Sequence, residues 1–246
     1  LLQAFAWDLP ADQSLWRSIA ASAQDIADLG IEGVWLPPAY KGYMGREDVG
    51  YGVYDTYDLG EFDQKGTVPT KYGTKEDYLA AIEALHAAGI SVVADIVLNH
   101  RMGGDATEVV RATPADPHDR TRTIGETEEI PAWTRSTFPG RAGAYPDFTW
   151  DWTCFHGTAW DEARHQQGVW LFEGKQWNEN VNDELGNYDY LMGSDVHVID
   201  PAVSAAMDRW ARWYVETTGV DGLRLAAPKH VGPALSARRP PGARRA

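Results

Sequence analysis

Ser91–Leu98 is an almost unbroken apolar run, interrupted only by Asp95. Strands that read this way are buried on both faces, which means a parallel sheet covered by helices. The residues upstream supply the rest of the pattern. Gln3–Trp7 alternates weakly, as a short strand does. Leu15, Ile19, Ala23 and Ile26 fall on one helical stripe, with Asp12 placed to cap it and Gly30 to end it. Gly33–Leu36 reads as a buried strand stopped by Pro37 and Pro38, which offer no ladder donor. Thr74 and Asp77 have capping-box spacing at the head of a helix that buries Tyr78, Leu79, Ile82 and Leu85 and stops at Gly89. Alternation of strand and helix predicts an α/β fold around a parallel sheet.

The alternation breaks at Arg101. The stretch Arg101–Ile199 is polar and turn-rich and holds six of the 11 tryptophans. A structureless loop of that length is foreign to a compact domain, so the segment reads as an inserted subdomain. Regularity returns at Asp200, with Pro201 at the first helical position. Val203, Ala206, Met207, Trp210 and Trp213 give that helix a buried stripe, Gly219 closes it, and Gly222–Leu225 is a fourth strand. Four strands and three helices make half of an eight-stranded barrel, and half a barrel leaves open sheet edges. The length of 246 residues suits one such domain, which usually needs about 200–250.

Charge and composition remove several classes of function. With 36 acidic against 22 basic residues the net charge is −14, which argues against a nucleic-acid partner. No apolar run is long enough for a membrane helix, and a 43% hydrophobic content is too high for a disordered chain. The single Cys154 excludes an internal disulfide. Eleven tryptophans and 11 tyrosines suit a large core or stacking on sugar rings. Gly232–Ala246 carries Arg238, Arg239, Arg244 and Arg245 and no acid, and is expected to be a disordered basic tail. The opening at Leu1 shows no signal peptide, so secreted and cytoplasmic locations both fit.

Polar residues at the C-terminal ends of parallel barrel strands are the default candidates for chemistry. Three places qualify: Asn99 and His100 after Ser91–Leu98; Arg224 with Lys229 and His230; and the loop carrying Asp48, Tyr51, Tyr54 and Tyr57. Asp95, inside an apolar strand, reads as a paired structural carboxylate with Arg224 as its partner.

Four runs carry a resemblance: GVWLPPAYK (Gly33–Lys41), DVGYGVYDTYDLGEF (Asp48–Phe62), DIVLNH (Asp95–His100) and GNYDYLM (Gly186–Met192). In order and spacing they resemble the α-amylase family of glycoside hydrolases, nearest to the liquefying bacterial enzymes and their intracellular relatives, over about residues 1–231. The resemblance implies a (β/α)8 TIM barrel of which about the first half is present. Residues 1–100 and 200–231 would belong to the barrel, and residues 101–199 would form a B domain inserted after the third strand. It implies retaining endo-hydrolysis of α-1,4-glucosidic bonds in starch. That chemistry needs two carboxyl groups about 5–5.5 Å apart.

In this family the nucleophile is the Asp of a Gly-x-Arg-x-Asp-Ala-x-Lys-His motif. Here Gly222–His230 places Ala226 at that position and Pro228 beside it. The general acid and the third carboxylate belong to later strands of the family, past this chain. The expectation is a truncated relative that does not hydrolyse starch alone. Its alternatives are a non-catalytic carbohydrate-binding remnant and an unstable fragment. By the same resemblance Trp7, Tyr51 and His100 line the subsite beside the scissile bond. Arg224 orients the nucleophile position, while Lys229 and His230 touch the adjoining subsite. The implied partner is an α-glucan or maltooligosaccharide. One calcium ion is implied, held by Asn99, Asp189, Asp195 and the main-chain carbonyl of His230. A second metal site is expected to be lost, because His156, His197 and Ile199 stand where the liquefying enzymes have acidic ligands.

Overall fold

In the computed structural model, which describes residues 1–231, four strands form a parallel sheet: β1 (Leu2–Gln3), β2 (Gly33–Leu36), β3 (Ser91–Ile96) and β11 (Gly222–Leu225). They lie in the order β1-β2-β3-β11. The tail Gly232–Ala246, expected to be disordered, lies outside the described residues. Three helices pack on the sheet: α1 (Leu15–Asp28), α2 (Lys75–Ala87) and α3 (Pro201–Thr218). Because side chains alternate along a strand, Val34 and Leu36, and Val92, Ala94 and Ile96, share the helix-covered face. There they meet Trp16 and Ile19 of α1, Tyr78, Ile82 and Leu85 of α2, and Trp210 and Tyr214 of α3. The hydroxyls of Tyr78 and Tyr214 meet at 2.8 Å inside that core. The opposite face carries Trp35, Asp95 and Arg224.

Several local expectations hold at the residue level. Thr74 and Asp77 form the reciprocal capping box of α2. Pro201 opens α3 as expected and Gly219 closes it with φ +68°; the structure adds Asp200 as its cap, accepting from the amides of Ala202 and Val203. Others shift. The cap of α1 is Ser14 rather than Asp12, whose carboxylate is spent on Ser14's own N–H and hydroxyl at 3.1 and 2.7 Å. β1 covers only Leu2–Gln3, not Gln3–Trp7. β3 ends at Ile96 because the next amide, Val97 N–H, donates to the Tyr40 hydroxyl at 2.6 Å instead of continuing the ladder. In α2 Ala81, not Leu79, is buried, and in α3 Tyr214 is fully buried while Trp213 is half-buried.

The turn-rich middle of the chain folds as a seven-stranded antiparallel sheet. Its strands are β4 (His100–Arg101), β5 (Ala106–Asp116), β6 (Asp119–Thr123), β7 (Glu128–Arg135), β8 (Phe155–Asp161), β9 (Gln166–Phe172) and β10 (Ser194–Val196). The order is β4-β10-β8-β9-β5-β6, with β7 paired to the other side of β5. Its core gathers Val110, Ile130, Trp150, Phe155, Trp170 and Phe172.

The loop after β2 is organised by a buried cation. Lys41, fully buried, donates to the carbonyls of Phe62, Thr67 and Val68 at 3.0, 2.6 and 2.6 Å and lies 3.3 Å from the Asp58 carboxylate. Burial lowers its pKa against the pull of Asp58.

Candidate functional site

β3 and β11 run in parallel register with Arg224 opposite Asp95. That register puts the guanidinium Nη1 3.0 and 3.1 Å from the two oxygens of Asp95. Asp95 is fully buried, while the Arg224 side chain is 42% exposed and stacks over the Trp35 ring at 4.9 Å. The Tyr51 hydroxyl donates at 2.7 Å to Oδ2 of the same carboxylate, one of the two oxygens that Arg224 holds. Burial and this hydrogen bond raise the phenol's pKa, so it stays protonated. Trp7, 64% exposed, stacks on Tyr51 with centroids 5.6 Å apart and planes 19° from parallel. His100 Nε2 lies 2.8 Å from the Tyr51 carbonyl, and its Nδ1 is buried without a hydrogen-bond partner among the described residues. Burial pushes its pKa down to about 4, so at neutral pH the ring is uncharged. Ala226 follows β11 with its N–H bonded to the Ile96 carbonyl at 2.8 Å and its methyl buried. Trp7, Tyr51, Asp95, Arg224 and His100 thus form one connected wall at the C-terminal ends of β3 and β11.

Lys229 and His230 turn elsewhere. Lys229 Nζ pairs with Glu184 at 2.9 Å, and the His230 ring meets the Tyr188 carbonyl at 2.6 Å. Both therefore face the loop before β10.

A second cluster lies between β8, β10 and that loop. His156 Nδ1 is 2.9 Å from Asp195 and 3.1 Å from Asp189, and all three residues are buried. Asn99 reaches Asp195 from 3.5 Å, and Asn178 donates to Asp189 through its N–H and its side-chain amide at 2.9 and 2.8 Å. Burial opposes charge on His156, but the hydrogen bonds to Asp189 and Asp195 outweigh it and lift the imidazole to about 9. Asp195 is pushed up to about 8 by burial and by the neighbouring Asp189. Asp189 is lowered, its burial outweighed by His156. Asn99, Asp189 and Asp195, expected together, do converge. His156, expected only as a lost ligand, stands between the two carboxylates. The ring of His197 packs on it at 4.3 Å.

A cleft of about 800 Å³ between β4, β8 and β10 includes Tyr43, Lys65, Asp105, Trp133 and Trp160 in its lining. Glu162 accepts from the indole N–H groups of Trp133 and Trp160 at 2.9 and 2.7 Å, fixing both rings. Sequence reading missed this pair. The tryptophan content of the segment was its only signal, and nothing local showed which rings would face one cleft.

The family model "Alpha amylase, catalytic domain" matches residues 15–244. The chain is 51% identical over 233 residues to an alpha-amylase of Geobacillus stearothermophilus, a match covering 94% of this chain and 42% of the relative. It is 49% identical over 231 residues to that of Bacillus licheniformis, covering 94% and 45%, and 48% identical over 235 residues to the cytoplasmic alpha-amylase of Escherichia coli, covering 94% and 48%. The chain therefore spans slightly under half the length of these curated relatives. Among solved structures, an alpha-amylase of Geobacillus thermoleovorans complexed with acarbose superposes with a TM-score of 0.51 at 20% identity, over 89% of this chain and 35% of its own. Alpha-amylase I of Eisenia fetida gives 0.51 at 16%, over 95% and 38%. At such identities the two structures speak for the fold alone. Motif order, the family model and relatives at about half identity agree, and the chain belongs to the alpha-amylase catalytic-domain family.

Proposed function

We propose that this chain presents an α-amylase-type site for α-1,4-glucans whose nucleophile position is vacant of oxygen, so that it binds a maltooligosaccharide without cleaving it. The observation that carries this reading is Ala226. It occupies the nucleophile position of the family motif, directly after the strand that bears Arg224. A retaining glycosidase needs a carboxylate there to attack the anomeric carbon. A methyl group can neither attack nor stabilise the oxocarbenium charge. What remains on the chain is the binding half of the chemistry. Trp7 offers an exposed aromatic face, Tyr51 holds it, and the buried, uncharged His100 ring supports Tyr51 from behind. Arg224, which would orient a nucleophile, is occupied by Asp95. The cleft past Trp133 and Trp160 gives further glucose units a wall.

In this reading residues 1–100 and 200–231 are the first half of a (β/α)8 barrel, and residues 101–199 are its inserted B domain. The separation of the chain into a parallel and an antiparallel sheet at those boundaries supports it. Lys229 and His230 contribute to binding only from the loop side.

Calcium, which the family implies, would call on Asn99, Asp189, Asp195 and the His230 carbonyl. Calcium takes six to eight oxygens at about 2.3–2.6 Å. The space between Asp189 and Asp195 is instead filled by the imidazole nitrogen of His156. Those four donors are all oxygens, but a nitrogen wedged 2.9 and 3.1 Å from two of them does not fit a cage that takes oxygen alone, and no step of the proposed function passes through calcium.

The test is calorimetric titration of the chain with a blocked maltooligosaccharide, alongside a turnover assay with the same compound. Binding without turnover is expected. Turnover clearly above buffer overturns the reading.

A further inference from the structure

Asp189 and Asp195 bring two carboxylates into the protein interior, each 1% exposed, with one imidazole between them. Buried carboxylates call for a cation or for ligation; in the metal-free chain the protonated His156 imidazole is that cation, and a metal ion would take the place of its proton. The three donor atoms all lie within 4.8 Å of one another, and His156 Nδ1 is 2.9 and 3.1 Å from the carboxylate oxygens. Donors bonded to one small dication at ~2.0–2.2 Å stand roughly 3 Å apart, so little movement separates this cluster from a coordination shell. The three residues come from β8, β10 and the loop preceding β10, and two of them have supporting partners. Asn178 orients Asp189 through two hydrogen bonds, and Asn99 faces Asp195. Outer-shell groups of this kind hold first ligands in place. The nature of the donors decides the metal. Calcium prefers oxygen alone, whereas imidazole with carboxylates suits the borderline transition metals.

We propose that His156, Asp189 and Asp195 form a site for a divalent transition metal, zinc being the best match, and that His156 turns this locus away from calcium. The bound ion ties β8, β10 and the intervening loop together. This proposal is independent of glucan binding.

The whole chain, stripped with a chelator, is titrated calorimetrically with Zn2+ and separately with Ca2+. One Zn2+ per chain is expected, bound at least about tenfold more tightly than Ca2+, with a larger rise in unfolding temperature. Co2+ added to the unaltered chain should give the visible absorption bands of a mixed nitrogen–oxygen site. His156→Asp makes the donor set all-oxygen and should reverse the order of affinity, while His118→Gln, at an exposed histidine, should change nothing. Calcium binding as tight as zinc, binding of neither ion, or zinc preference retained in His156→Asp overturns the proposal. If His156→Asp fails to fold, the cobalt spectrum decides, and its absence overturns the proposal.

Discussion

Arg224 holds both oxygens of Asp95 across two adjacent parallel strands, yet the two partners differ sharply in exposure: 42% for the arginine side chain and none for the aspartate. The pair is therefore asymmetric in what its loss costs. Arg224→Met strands a buried carboxylate with, among the described residues, only the Tyr51 hydroxyl to meet it. Asp95→Asn leaves a guanidinium that water can reach. We expect Arg224→Met to destabilise by about 2–3 kcal/mol and Asp95→Asn by about 1 kcal/mol, the bridge being discounted for its solvated side. Urea unfolding of the two variants measures the difference, and equal losses would contradict it.

His100 makes stability depend on pH. Its folded pKa is depressed to about 4 by burial, against an ordinary 6.5. Between those values the unfolded chain binds a proton that the folded chain refuses. Stability is therefore intact above pH 6.5 and is lost as pH falls towards 4, by about 3 kcal/mol for this group. His100→Gln, which keeps a donor for the Tyr51 carbonyl, should flatten unfolding temperature against pH across that window.

Glucan binding should depend on aromatic faces in two separable ways. Trp7 is exposed and touches Tyr51, so Trp7→Ala should weaken every maltooligosaccharide about five- to tenfold while leaving the unfolding temperature unchanged. Trp133 and Trp160 line the more distant cleft. Trp133→Ala should weaken maltoheptaose by a similar factor and leave maltotriose unaffected. Calorimetry with the two lengths separates these effects, and a uniform loss in Trp133→Ala would remove the cleft from the glucan path.

The parallel sheet was legible because its signals are local. Thr74 and Asp77 sit three residues apart, Gly219 ends a periodic run, and Asp95 is the one charged residue in its strand. The Asp95–Arg224 pairing followed from the cost of leaving a buried charge alone. The antiparallel sheet was hidden because its partners are distant: Phe155 pairs with Val196, and Trp170 with Pro114. Only the folded register brings them together. The same distance hid the role of His156. In the chain it lies far from Asp189 and Asp195, and a non-acidic residue at a metal position reads as a deletion. Folded, it becomes the group both carboxylates face. Ser14 displaced Asp12 at the head of α1 because the helix starts two residues later than the pattern suggested, which leaves the Asp12 carboxylate to accept from Ser14's own N–H and hydroxyl.

Lys41 has a dynamic consequence. One ammonium gathers the backbone oxygens of Phe62, Thr67 and Val68 together with Asp58. These contacts share one buried ammonium with three N–H donors, so opening any one of them leaves a donor of a buried charge unpaired. The stretch from Asp58 to Val68 is thereby coupled into one opening unit. Its amides should exchange with deuterium in concert, and in Lys41→Met they should exchange sooner and each at its own rate.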